Sequence, residues 1–147
     1  MPPFWTSITY GNSKLKSESM YTTPEVKSGL LTGTQWDTLI VWIDYAGKSI
    51  WDSRTWGNYG NSLPLADVSG FGSLQATGYS ENWKANNIYD LAGNAWEWTN
   101  EIYGTQRTSR GGSFEDDGSY FAASSGFFAS TTATGTHAGF RVVLYIL

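Results

Sequence analysis

The chain has no cysteine, one histidine, four prolines and no long apolar run in its 147 residues. Without cysteine there are no disulfides, no thiolate metal ligands and no cysteine nucleophile, although the compartment stays open. A single His excludes a multi-histidine metal centre. The longest apolar run, VVLYIL at the C-terminus, is far too short to span a bilayer, so no membrane insertion is expected. Nor does MPPFWTSITY have the basic and apolar regions of a signal peptide. Nine basic residues against thirteen acidic ones give a net charge of −4, with no basic cluster. Binding to nucleic acid by neutralising phosphates is therefore not expected.

What is abundant is aromatic. Eight Trp, nine Tyr and seven Phe supply the core, and seventeen Gly imply many tight turns. The economical reading is one α+β domain over 1–147, a small sheet with one clear helix and much irregular loop. Residues 1–29 are polar and mixed and carry no element signal. Residues 1–27 stand as a candidate N-terminal extension. Thr32 and Gln35 have capping-box spacing, and Trp36, Leu39, Ile40 and Ile43 follow at helical intervals. A helix over about 33–46 is expected, stopped by Gly47. From 48 to 88 the chain reads as turns and loops with one or two short strands. AWEWT reads as a strand with Trp96 and Trp98 on one face, and TSRGGSF as a strand with a Gly-Gly irregularity. GFRVVLYIL reads as a strand buried on both faces.

Few residues offer chemistry. There is no G-x-S-x-G elbow for a serine nucleophile and no phosphate loop. Asp116 and Asp117 are adjacent, so in an extended chain they point apart and read as solvated turn residues. Asn94 and Glu97 are candidate calcium ligands, since oxygen-only donors suit that ion. The plainer reading gives Asn94 turn hydrogen bonds and pairs Glu97 with an arginine. No cofactor is required on this reading, with calcium the one candidate.

The blocks NNIYDLAGNAWEWTNE, RGGSF and GFRVV, in that order, resemble the formylglycine-generating enzyme (sulfatase-modifying factor) family. SGLLTGTQWDTL looks like that family's LPTEAEWE-type segment, so the resemblance covers about residues 28–147. It implies a variant of the C-type lectin fold, and it sets calcium positions on Asn94 and Glu97. It also implies what is missing. Formylglycine-generating enzymes need cysteines between RGGS and GFR, and related sulfoxide synthases need an iron held by three histidines; neither set is present here.

Within this lectin-like family the chain is more similar to the variable proteins of diversity-generating retroelements. Those proteins randomise a C-terminal segment by turning AAC codons into NNC codons, and they present the products as a binding surface. NNC codons cannot encode Lys, Glu, Gln, Met or Trp. Residues 113–137, SFEDDGSYFAASSGFFASTTATGTH, hold none of these except Glu115, and no Arg, Leu, Ile or Val. A Ser/Thr/Ala/Gly-rich stretch is also what a loose surface loop looks like. Five aromatics in 25 residues argue against that, because aromatics beside short polar residues make binding surfaces.

The resemblance implies a non-enzymatic protein with a variable region at 105–137. Its candidate ligand-binding face is Ser109, Ser113, Phe114, Asp116, Ser119, Tyr120, Phe121, Ser125, Phe127, Phe128, Thr136 and His137. The implied partner is a protein or glycan on a cell or particle surface, and the expected place is surface-displayed, secreted or virion-associated rather than cytoplasmic. Framework roles fall to Arg110, Gly111, Gly112 and Arg141, the last expected to pair with Glu97 or Asp90. Two alternatives stay open. One is an enzyme of the wider formylglycine-generating superfamily with an unrecognised site. The other is a fixed calcium-dependent glycan-binding module, since Trp98–Glu101 (W-T-N-E) resembles the W-N-D motif of animal lectins.

Overall fold

The computed structural model describes residues 6–64, 66 and 68–147. Its elements run α1 (Tyr10–Ser19), β1 (Val26–Leu30), α2 (Gly33–Tyr45), β2 (Lys84–Ala85), β3 (Ile88–Tyr89), β4 (Trp96–Tyr103), β5 (Gln106–Arg110), β6 (Gly126–Ala129), β7 (Ala138–Phe140) and β8 (Val142–Ile146). The largest sheet has the order β6-β5-β4-β7, with β4 and β7 parallel and the other pairs antiparallel. β1 and β8 form a separate antiparallel pair in which Val26 meets Ile146 and Leu30 meets Val142. This is an α+β fold.

Helix α2 forms as its sequence dictates. Thr32 accepts from the Gln35 N–H at 3.1 Å, and the Gln35 side chain accepts from the Thr32 N–H at 2.9 Å. Trp36, Ile40 and Ile43 are buried along one face. Gly47 follows the helix at φ +89°, a left-handed conformation that glycine adopts without strain.

The core combines the rings of Trp36, Trp56 and Tyr59 with the aliphatic side chains of Ile40, Ile43, Ile50 and Leu91. Burying one tryptophan removes roughly 150–250 Å² from water, worth about 4–6 kcal/mol before entropy is counted. Each indole also needs a partner. Trp36 donates to Ala123 O at 3.1 Å, Trp56 to Ser49 O at 2.8 Å and Trp83 to Ala66 O at 2.8 Å. The irregular 48–88 segment is thus held by ring packing and by indole hydrogen bonds, with the β2–β3 hairpin as its regular part.

Three expectations change. Residues 1–29 contain α1 and β1, hidden from pattern reading because the buried residues of α1 are Ser13 and Ser17. GFRVVLYIL is two strands rather than one. β7 joins the large sheet, Arg141 interrupts, and β8 pairs only with β1, leaving Leu144 and Ile146 exposed. The strand buried on both faces therefore does not exist. Val143 packs on the core from one face of the two-stranded ribbon, and Leu144 and Ile146 lie on the other. β5 ends at Arg110, and Gly111 and Gly112 follow at φ +95° and +78° as a turn rather than within a strand.

Candidate functional site: an aromatic pocket on the open half of the sheet

Strand alternation decides what faces the site. On β4, Trp96 and Trp98 share one face and Glu97 and Thr99 the other. Register extends both faces across the sheet. Trp98 is opposite Ser109, Ser109 is opposite Phe127, and Trp96 is opposite Ala138.

Part of the Trp face is covered by the N-terminal segment. The Trp98 indole donates to Ile8 O at 2.9 Å, and Tyr10 meets Trp98 edge-on at 6.2 Å. The remainder is open. Trp96, Ser109 and Phe127 line a pocket of about 240 Å³ there, closed by Asp116, Phe121 and His137 from the adjoining loops. Trp98, Ala129, Ala133, Thr134, Gly135 and Ala138 complete its lining.

The loop carrying Asp116 is tightly built. Ser113 donates twice to Asp116 Oδ2, from its backbone N–H at 2.8 Å and its hydroxyl at 2.6 Å. Asp117 Oδ1 accepts from Ser119 N at 2.8 Å and Oγ at 2.5 Å, which holds its carboxyl down at about 2. Gly60 and Asn61 tie the loop to the core through the Gly60 N–H to Asp116 O and the Gly118 N–H to Asn61 Oδ1. Both aspartates are turn residues, yet Asp116 also reaches the pocket.

The rings around the pocket meet at angles. Trp96 lies 5.6 Å from Phe121 at 77° and 5.8 Å from Phe127 at 44°, and Tyr120 stands against Phe121 at 5.0 Å and 81°. His137 Nδ1 is 3.4 Å from Glu115 Oε2.

Of the twelve residues expected on the ligand face, Ser109, Asp116, Phe121, Phe127 and His137 line this pocket. Ser119, Tyr120 and Thr136 are exposed, and Phe114 and Ser125 are half-buried. Ser113 is only 1% exposed, its hydroxyl spent on Asp116, so it supports the loop rather than meeting a ligand. Phe128 follows Phe127 on the strand and points the other way, stacked on Tyr103 at 4.0 Å. The middle of the stretch is core: Ala122 and Ala123 are buried, and Ala123 O accepts the Trp36 indole. The sequence placed Trp96 on a strand face with Trp98 among the core aromatics but not on the ligand face, whereas it also forms a wall of the pocket. The signal was its i, i+2 relation to Trp98 beside a small-residue β7.

Asn94 and Glu97, the candidate calcium ligands, have separate partners within the chain. Asn94 Oδ1 accepts from Asn58 Nδ2 at 3.0 Å and Gln75 N at 2.9 Å. Glu97 takes both nitrogens of a fork from Arg141, at 2.9 and 2.7 Å. Arg141 also donates to Tyr89 O at 2.9 Å. Burial pushes the Glu97 carboxyl up, and the guanidinium draws it back. Among the described residues, no group of three or more His, Cys, Asp or Glu is placed to hold a metal ion.

In the W-T-N-E run, Asn100 bonds Tyr10 and Leu30 O, while Glu101 holds Arg110 at 2.7 Å. Arg110 further binds Asp37 at 3.3 Å and Ser124 O at 3.2 Å, so it fastens α2, β4 and the 122–125 turn together. Asp90, the other expected partner of Arg141, is buried with Oδ1 unpartnered and Oδ2 accepting from Gly78 N. Burial pushes its carboxyl up to about 6.

Solved structures share this fold. Treponema denticola variable protein 1 superposes with a TM-score of 0.57 at 20% identity over 92% of this chain, which spans 54% of that protein's length. CarF superposes with a TM-score of 0.70 at 15% identity, covering 97% of this chain and 67% of CarF. No curated protein matches the chain. Residues 41–146, from late α2 through β8, match the sulfatase-modifying factor enzyme 1-like domain. The chain belongs to that family, in its C-type lectin-like form.

Proposed function

We propose that the chain is a non-enzymatic ligand-binding protein of the diversity-generating-retroelement type, presenting a variable C-terminal face on a lectin-like scaffold. One observation carries the reading. Apart from Trp96 and Trp98, the open half of the sheet is walled by residues drawn from 109–138, while the conspicuous charged groups around it, Arg110, Arg141, Glu97 and Glu101, are spent on holding the framework. Exposed Tyr120 and Phe127, with half-buried Phe121, provide rigid contact area of the kind that dominates binding energy. The likeness to a variable protein supports the same reading. The partner is a protein or glycan, and the expected setting is a cell or particle surface, where many copies would add avidity.

Deep sequencing of this gene from many clones of one source population, across codons 105–137, tests the proposal. Substitutions should concentrate at Asp116, Tyr120, Phe121 and Phe127, on NNC codons, while Arg110, Gly112, Ala123, Gly139 and Arg141 stay silent. An invariant stretch would refute diversification and leave a fixed ligand to be sought.

A further inference from the structure

Among the described residues, Asp116 is the one carboxylate lining the pocket, and the lining holds no Lys or Arg. Its Oδ2 is occupied by both donors of Ser113. Its Oδ1 has no partner among the described residues and is not sealed from solvent. A fixed anionic acceptor therefore stands beside Trp96, Phe121 and Phe127, whose rings meet as angled walls rather than a parallel stack.

We propose that this pocket takes the ammonium group of a lysine side chain supplied by a protein partner. The proposal rests on the ligand-binding reading above and names the ligand of that same site. Aromatic faces attract a cation through the ring quadrupole, and a carboxylate oxygen adds a charge-assisted hydrogen bond. Ala129, Ala133 and Ala138 give an apolar wall along which the methylene stem of a lysine packs.

The single free oxygen decides between cations. Arginine gains its advantage from a fork that meets two acceptors at once, but Ser113 holds the second oxygen of Asp116. A compact ammonium needs one. The volume of about 240 Å³ admits a side chain, and the chain's net charge of −4 draws basic partners toward it. A sugar fits less well, because Ser109 already donates to Phe127 O and is 4% exposed, leaving few directional polar groups.

The test titrates the whole chain with n-butylammonium, 1-butanol, n-butylguanidinium and galactose, following tryptophan fluorescence and the indole N–H resonances. Butylammonium should saturate, perturb Trp96, and bind about tenfold or more tightly than butanol. Asp116→Asn retains an acceptor for Ser113 and should abolish the preference for ammonium over butanol. Phe127→Ala, at a half-exposed position, should weaken both probes and serves if the first variant does not fold. Equal binding of butanol or galactose, guanidinium binding more tightly than ammonium, or no saturable ammonium binding would each overturn the proposal. So would an Asp116→Asn protein that keeps the preference. The outcomes separate from those of the sequencing test. Clones that vary, in a protein blind to ammonium, sink the ligand class alone; an invariant gene with an ammonium-binding pocket sinks diversification alone.

Discussion

Replacing Arg141 with methionine leaves the buried Glu97 carboxylate with no cation to answer it and Tyr89 O without its donor. The side chains of the pair are only 23% and 11% exposed, and two parallel N–H···O contacts join them at 2.9 and 2.7 Å. Removing one partner of such a pair costs about 3–5 kcal/mol, most of it the penalty of stranding the other charge. The lost donor to Tyr89 O falls within that range rather than on top of it, since contacts in one network do not add. For a domain whose total stability is of order 5–15 kcal/mol, that is a large fraction. With a urea dependence of about 2 kcal/mol/M, the unfolding midpoint should drop by roughly 2 M. Equilibrium urea unfolding followed by tryptophan fluorescence reads it directly. The double variant Glu97→Met with Arg141→Met should recover most of the loss, because no charge is then left buried. A single variant costing less than about 1 kcal/mol would show the pair behaving as a solvated one. The account of Arg141 as the bolt between β4, β3 and the β7–β8 break would then be wrong.

Asp90 should make stability depend on pH in the unusual direction for a carboxylate. Its folded-state value of about 6 lies above the ordinary 3.8, so folding takes up a proton between those values. The contribution is fully present below about pH 4 and lost as pH rises through 6, about 3 kcal/mol in all. Asp90→Asn, which keeps an acceptor for Gly78 and tolerates φ +53°, should remove that slope; unchanged urea midpoints against pH in wild type minus variant would refute the burial argument. Gly93→Ala should cost about 3 kcal/mol or more, since φ is +70° and a Cβ would sit 2.1 Å from Asn58 O. Gly11→Ala, in α1 with open space around it, should instead stabilise by roughly 0.5–1 kcal/mol; thermal melts of the two variants test both. Removing calcium with a chelator should leave the thermal midpoint unchanged, because Asn94 and Glu97 are committed to Asn58, Gln75 and Arg141; a fall would restore them as ligands.

How much was legible follows from which force holds each part. Helix α2 was readable because its cap and buried stripe are local, and both capping bonds form as spaced. The Glu97–Arg141 pair was readable because a buried carboxylate needs a cation and few are available. Helix α1 was not, because the residues it buries fully are serines, Ser28 Oγ donating to Ser17 O at 2.5 Å, and Tyr10 is its one ring packed on the Leu30–Trp98 cluster. The break at Arg141 was hidden by continuous apolar residues, which fit a two-sided strand as well as two one-sided ones. In the site, composition marked the stretch 113–137 but not its faces. Only the β5–β6 register puts Phe127 with Ser109 and turns Phe128 toward Tyr103.

That division limits what the C-terminal stretch can do. Gly112 stands at φ +78° with an added Cβ 2.3 Å from Phe121 O, and an added Cβ at Gly118 would fall 2.5 Å from the Tyr59 ring. Ala122 and Ala123 are buried, Ala123 in the core with Trp36, and even one more methylene is resisted by a close-packed interior. Ser113 is bound to Asp116 by two bonds. These positions fix the path of the loop, and they alternate with Asp116, Tyr120, Phe121 and Phe127, which open to the pocket or to solvent. A change of side chain at Tyr120, Phe121 or Phe127 alters the shape of the pocket without moving the first set, whereas a change at Asp116 also alters the two bonds that hold Ser113. A random substitution across the whole stretch would unfold the domain as often as it retuned the face. If diversification operates here, template adenines must therefore avoid the codons of the first set. The spacing of those codons is then a property of this packing, not of the ligand.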